Sequence, residues 1–358
     1  RNYSFRLLAY MTALSVIGIL VVRSATNMDS EAVTKQMFGI LAGMAIAVCL
    51  SLVDYHKILN FSTVIYLICI GSLLAVLFWG RSVNNAKRWI EVPVLGQLQP
   101  SEFVKLTFVL FTASMFYQST DFKTVVTATA VAAAHVLIMV LSKDLGGALI
   151  FFITYLLMLF VATNNWFYLG AGTILGAGAS VGAYQLFDHV KRRVLAWSNP
   201  WADIDNKGYQ ITQSLFAIGT GGWFGMGLCQ GMPNRIPVVE KDFIFAAISE
   251  EMGAIFAICV LLICLGCFIQ FMMIATQMQA MFYKIIAVGL GMEYVVQVFL
   301  TVGGVTKFIP STGVTLPFVS YGGSSIVTTF LLFSIIQGLY IIKRNDEEEM
   351  EEMEAQEE

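Results

Sequence analysis

The sequence predicts an all-α polytopic membrane protein of about ten transmembrane helices, with one large loop between the seventh and eighth. Three observations carry that prediction. Of 358 residues, 57% are hydrophobic and only 13% are charged, where soluble domains carry about 25% charged residues. The mean hydropathy is +0.74. The apolar residues fall in runs of roughly 20, the length that crosses a hydrocarbon core. Together these exclude an ordinary soluble enzyme, a disordered chain and a nucleic-acid binder.

The runs lie near 7–24, 36–53, 58–79, 100–118, 123–141, 145–162, 166–187, 245–273, 282–304 and 321–342. The first, Leu7 to Val22, lacks a small-residue cleavage site and reads as a retained span rather than a signal peptide. Several runs carry small residues four apart, such as Gly39 and Gly43, which let helices approach closely in lipid. Three connections are long: 80–99, 188–244 and 305–320. The second is too long for a passive connector. With ten spans, both termini lie on one side and all three long loops on the other.

Charge is unevenly spread. Residues 346–358 hold 9 of the 24 acidic residues and no base. This block reads as a solvated, disordered tail behind a single membrane unit, residues 1–345. Lys and Arg do not fix the orientation. The terminal side carries Arg1, Arg6, Lys57, Lys123, Lys284, Lys343 and Arg344. The long-loop side carries more, including Arg81, Lys87, Arg88, Lys191, Arg192, Arg193, Arg235 and Lys241. Such a cationic face also suits an anionic, phospholipid-like substrate. Cys264 and Cys267 have C-x-x-C spacing, but within a long apolar stretch that points to helix packing rather than metal or redox chemistry.

Ionisable groups at bilayer depth are costly unless paired or hydrated, so each is a functional candidate. Glu102 and Lys105 are three apart and share a helix face. They form either an internal ion pair or the wall of a polar cavity where Lys105 meets an anion. Asp144 opens a span, where capping alone would explain it. His135 reads as a satisfied core residue or a helix-surface residue rather than a base. Asp242, Glu250 and Glu251 cluster where the longest loop gives way to an apolar run. Asp242 and Glu250 are eight apart, about two helical turns, and share one face. Asp242 therefore reads either as a cap or as a general base at a membrane mouth. Gly313 to Ser325, with Ser320 and Ser324, combines glycines, hydroxyls and a proline beside a span. Irregular backbone of this kind is tolerated where it lines a cavity, and its amides and hydroxyls can bind phosphate or sugar.

These segments occur in an order that resembles the SEDS family (shape, elongation, division and sporulation proteins, typified by RodA and FtsW). They are Ala86-Lys87-Arg88-Trp89-Ile90, Gln99-Pro100-Ser101-Glu102-Phe103-Val104-Lys105, Asp144-Leu145-Gly146 and Asn199-Pro200-Trp201. Gly208-Tyr209-Gln210, Asp242-Phe243-Ile244-Phe245-Ala246 with Glu250-Glu251-Met252-Gly253, and Thr312-Gly313 through Ser325 complete the series. The likeness covers nearly the whole chain except the acidic tail. Departures are Asn85, Lys241 and Gly147, where the family often has Gly, Thr and Thr. Lys241 adds a cation next to Asp242, which favours its charged form.

The resemblance implies a ten-helix peptidoglycan glycosyltransferase in the bacterial cytoplasmic membrane. Its termini would be cytoplasmic and its large loop and active site extracytoplasmic. Its substrate would be lipid II, a disaccharide-peptide on undecaprenyl pyrophosphate. Asp242 matches the family's essential loop aspartate and is the candidate catalytic base. Glu102, Lys105 and Asp144 match positions around the family's central cavity. Lys87, Arg88 and Arg235 are candidate cations for the pyrophosphate, with Glu250, Glu251, Ser320 and Ser324 as further substrate-binding candidates. A divalent cation, Mg or Mn, bridging phosphate to carboxylate is compatible with this chemistry. The implied partner is a single-span class B penicillin-binding transpeptidase. Two other readings use the same residues: a lipid II flippase, and a non-catalytic scaffold for cell-wall synthesis.

Overall fold

The structure, a computed structural model, describes residues 4–52, 62–79, 81–83, 86–92 and 96–357. Each predicted apolar run holds a helix. The amino-terminal half contributes α1 (Phe5–Ala25), α2 (Ser30–Leu52), α3 (Ser62–Trp79), α4 (Pro100–Gln118), α5 (Phe122–Leu141), α6 (Leu145–Thr163) and α7 (Trp166–Leu186). Among the described residues, seven helices of the chain are long and apolar enough to cross a membrane. Helices α3, α4 and α7 are not among them. In α4 the apolar run is diluted by Glu102, Lys105 and several hydroxyl residues, which the structure turns inward.

Residues 188–244, read from the sequence as one loop, are largely ordered. They contain α8 (Asp188–Ser198), a 3-10 turn at Pro200–Asp203, α9 (Tyr209–Gly221) and a second 3-10 turn at Pro233–Arg235. Neither helix shows a membrane-length run, because α8 has 11 residues and α9 has 13. Between α3 and α4, within the predicted polar loop, Ala86–Val92 forms the centre of a small antiparallel sheet, in the order β1 (Arg81–Val83), β2 (Ala86–Val92), β3 (Gly96–Leu98).

The carboxyl-terminal half supplies the centre of the bundle: α10 (Ile244–Gln277), α11 (Met281–Val305) and α12 (Gly323–Glu357). α11 packs against α10, α6 and α4, while α12 packs against α2. Cys264 and Cys267 are buried, in keeping with a packing role. α12 continues through the acidic segment that charge density alone marks as disordered. Ion pairs of Lys343 and Arg344 with Glu347, at 3.3 and 3.1 Å, support its last membrane-proximal turn.

Helix α10 is broken at Gly253, whose φ of 84° and ψ of 171° no helix accommodates. A break strands carbonyls on one side and amides on the other. The segment after α9 fills the gap. Met226 N donates to Glu250 O at 2.9 Å, Gly227 N to Glu251 O at 2.8 Å, and Ala254 N to Gly222 O at 2.9 Å. A Cβ on Gly253 would sit 2.4 Å from Gly225 N and from Trp223 O. Gly253→Ala is therefore expected to cost about 3 kcal/mol through strain and overpacking. The check is a lowered thermal unfolding midpoint in detergent. An unchanged midpoint would show that the break is dispensable.

Candidate functional site

Two adjoining groups of residues are drawn together where α6, α8 and α10 meet the Thr306–Gly322 segment. The first is centred on Asp242, in the turn that leads into α10. Buried Ile236, Val239 and Phe243 anchor that turn. The Ser320 hydroxyl donates to Lys241 O at 2.5 Å and accepts from Leu316 N at 2.8 Å. Tyr321 N donates to Glu240 O at 2.7 Å. The glycine- and serine-rich segment thus clamps the two backbone carbonyls that immediately precede Asp242.

Opposite lies Gly313, with a φ of 74° and no side chain. The position a Cβ would take on it is 3.7 Å from Asp242 Oδ2, 3.7 Å from Arg193 Nη2 and 3.8 Å from Arg193 Nη1. Glycine therefore leaves a methyl-sized gap at a position that both a carboxylate and a guanidinium face. Arg193 is fixed there because Nη1 donates to Ser311 O at 2.8 Å. Trp197, one turn further along α8, donates its indole N–H to Lys307 O at 3.0 Å. The amino-terminal end of α6 abuts the same segment: a Cβ on Gly146 would meet Val314 and Thr312. Asp144 caps that end by accepting from Gly147 N at 3.0 Å.

The second group is a buried charge cluster. Lys105 Nζ lies 3.0 Å from Glu102 Oε2 and 4.0 Å from Glu293 Oε1. It also donates to Gln297 Oε1 at 3.1 Å. Gln297 spends its amide N–H on Thr315 O at 3.0 Å, and the Thr315 and Ser325 hydroxyls bond each other at 2.7 Å. One side-chain chain thus connects the ion pair of α4 to the segment that carries Gly313.

The sequence-predicted residues fare differently. Glu102 and Lys105 are paired, Asp144 is beside the cleft, and Asp242 faces it. Ser320 holds backbone, donating to Lys241 O and accepting from Leu316 N. Ser324 accepts from Gln99 N at 3.1 Å, which holds the start of α4. Glu250 accepts from Met232 N at 3.1 Å, and Glu251 from the Ser24 hydroxyl at 2.5 Å. These two carboxylates fasten the loop at the α10 break and the end of α1. Arg235 is exposed in its 3-10 turn. Lys87 and Arg88 fall on β2, and their side chains lie outside the described residues. His135 is a satisfied core residue, held by Val131 O at 2.7 Å and the Tyr66 hydroxyl at 3.1 Å.

Sequence reasoning missed Glu293 and Gln297 and left Arg193 among the loop cations. Glu293 carries the usual signal, an acid within an apolar run. Arg193 carries none, since only the fold returns α8 to residues more than a hundred positions away. Among the described residues no group of three or more His, Cys, Asp or Glu is placed to hold a metal ion. Asp242 is the carboxylate that would hold a divalent cation here, and such an ion would supply Lewis-acid stabilisation of negative charge.

Fold and site together define a multi-pass α-helical membrane protein in which Asp242 and Arg193 meet over Gly313, linked to a buried charge cluster. Residues 3–345 match the cell cycle protein family of FtsW, RodA and SpoVE, and the chain belongs to that family. It is 31% identical to the peptidoglycan glycosyltransferase RodA of Mycobacterium tuberculosis over 92% of this chain and 76% of that one. It is 32% identical to the stage V sporulation protein E of Bacillus subtilis, over 90% and 93%. Among solved structures, RodA of Thermus thermophilus superposes with a TM-score of 0.72 at 23% identity, covering 96% of this chain and 97% of that one. A chain from a structure described as coordinating polymerization and crosslinking in a peptidoglycan synthase complex superposes with a TM-score of 0.84. It is 23% identical, covering 96% and 98%.

Proposed function

We propose that this protein is a peptidoglycan glycosyltransferase that polymerises lipid II, with Asp242 as its general base. The observation that carries the reading is the meeting of Asp242 and Arg193 over Gly313, at the mouth of a membrane bundle whose relatives bear that activity in their names. Asp242 accepts the proton of the acceptor sugar's 4-hydroxyl. The hydroxyl oxygen then bonds to the donor's anomeric carbon from the face opposite the phosphate. The carbon–oxygen bond to phosphate breaks with inversion, and its electron pair leaves on undecaprenyl pyrophosphate. Negative charge builds on phosphate, so a preorganised cation acts where it counts most.

In this reading the chain crosses the cytoplasmic membrane ten times, with both termini inside and the 188–244 segment outside. Residues 1–345 form one membrane unit, and the acidic 346–358 segment is an appendage. A class B penicillin-binding transpeptidase is the natural companion, because new glycan must be crosslinked. The apolar groove between α10 and α11, lined by Leu261, Leu265, Val298, Phe299 and Phe308, suits a single apolar span. A flippase would place its selective carboxylates along the bilayer path, whereas Asp242 lies ahead of α10 rather than within it.

The test is polymerisation of purified lipid II by the reconstituted protein, with and without its transpeptidase. Glycan chains are expected from the wild-type protein. Lipid II bound but unpolymerised in every preparation would overturn the enzyme reading in favour of transport or scaffolding.

A further inference from the structure

We infer that Arg193 is the residue that holds the diphosphate of the lipid-linked donor beside Asp242. The inference rests on the polymerase reading and names a substrate contact within it. The reaction needs a base for a hydroxyl and a cation for the departing phosphate within reach of one sugar. Among the described side chains, Arg193 meets that requirement geometrically: its Nη1 and Nη2 and the Asp242 Oδ2 all lie within 3.8 Å of one point in front of Gly313. The alternatives are placed less well. Arg235 is exposed in its turn, and the atoms nearest that point belong to Arg193 and Asp242, none to the Lys241 ammonium.

The guanidinium suits this task. It presents five N–H donors in a rigid fork and always carries its charge. Nη1 holds the Ser311 carbonyl, and paired N–H groups on two phosphate oxygens are the geometry in which arginine binds phosphate most strongly. Two bonds from α8 to the Thr306–Gly322 segment, by Arg193 and by Trp197, fix the helix before substrate arrives. The positive φ of Gly313 and its missing side chain keep the gap open. A surface ion pair would need neither the tethers nor the gap.

The experiment measures direct binding of undecaprenyl pyrophosphate to the purified full chain, with uncharged undecaprenol as the control, and lipid II polymerisation in parallel. Arg193→Ala is expected to weaken pyrophosphate binding about tenfold to a hundredfold, the worth of a charge-assisted hydrogen bond, and to leave undecaprenol binding unchanged. Arg193→Lys should fall between. Trp197→Phe removes the second tether but no charge, so it should lose only a small part of the preference for pyrophosphate over undecaprenol, well short of the loss in Arg193→Ala. An unaltered preference in Arg193→Ala would overturn the assignment. So would an equal loss in Trp197→Phe, which would make the docking of α8, not the cation, the cause. If the wild type forms no glycan, the polymerase reading fails, and the binding comparison still decides the role of Arg193.

Discussion

Asp242→Asn is expected to lower glycan polymerisation about 10²–10⁴-fold, the contribution of a well-placed general base, while leaving the fold and lipid II binding intact. The substitution is nearly isosteric and keeps one acceptor oxygen. The clamp that positions residue 242 uses backbone groups, the carbonyls of Lys241 and Glu240, so it does not depend on the side chain. What asparagine loses is the capacity to take a proton. Rates measured with purified lipid II should therefore fall in kcat far more than KM rises. Near-normal polymerisation by this variant would remove Asp242 from the chemistry. A folded variant that no longer bound lipid II would make it a substrate ligand instead.

The bundle was legible because membrane helices announce themselves twice, by length and by apolarity. The 282–304 run and α11 (Met281–Val305) differ by a single residue at each end. The same rule exposed Glu102 and Lys105, since two charges three apart in an apolar run have few explanations. It failed in the 188–244 segment, where α8 is short and polar and its shape is set by tertiary bonds to Ser311 and Lys307. The serines show a different limit. A glycine- and serine-rich stretch reads as a ligand cradle, and in the fold Ser320 and Ser324 also bond backbone, at Asp242's turn and at the start of α4. A hydroxyl that binds substrate and one that binds backbone leave the same trace in a sequence. The departure at Lys241 puts a cation next to Asp242 in sequence, but the guanidinium that shares its cleft comes from α8.

The buried cluster gives the largest expected effect on stability. Lys105→Met is expected to destabilise the protein by about 3–5 kcal/mol, the cost of removing one partner from a buried ion pair. Lys105 is almost wholly buried and faces two carboxylates, Glu102 and Glu293. Methionine fills similar volume, so the loss is electrostatic rather than a cavity. Without the ammonium, two acids confront each other in an apolar interior and Gln297 Oε1 loses its donor. Gln297 also holds the Thr315 carbonyl, so polymerisation should fall along with the thermal midpoint, although Lys105 is bonded to Gln297 rather than to Asp242's turn. Removing the stranded charge should restore part of both. Lys105→Met with Glu102→Gln is expected to recover more stability than the two single losses predict when added. Strict additivity would mean that the pair does not interact in the membrane. Recovered stability without recovered activity would assign Lys105 a second task, holding the segment that carries Gly313 in register with Asp242.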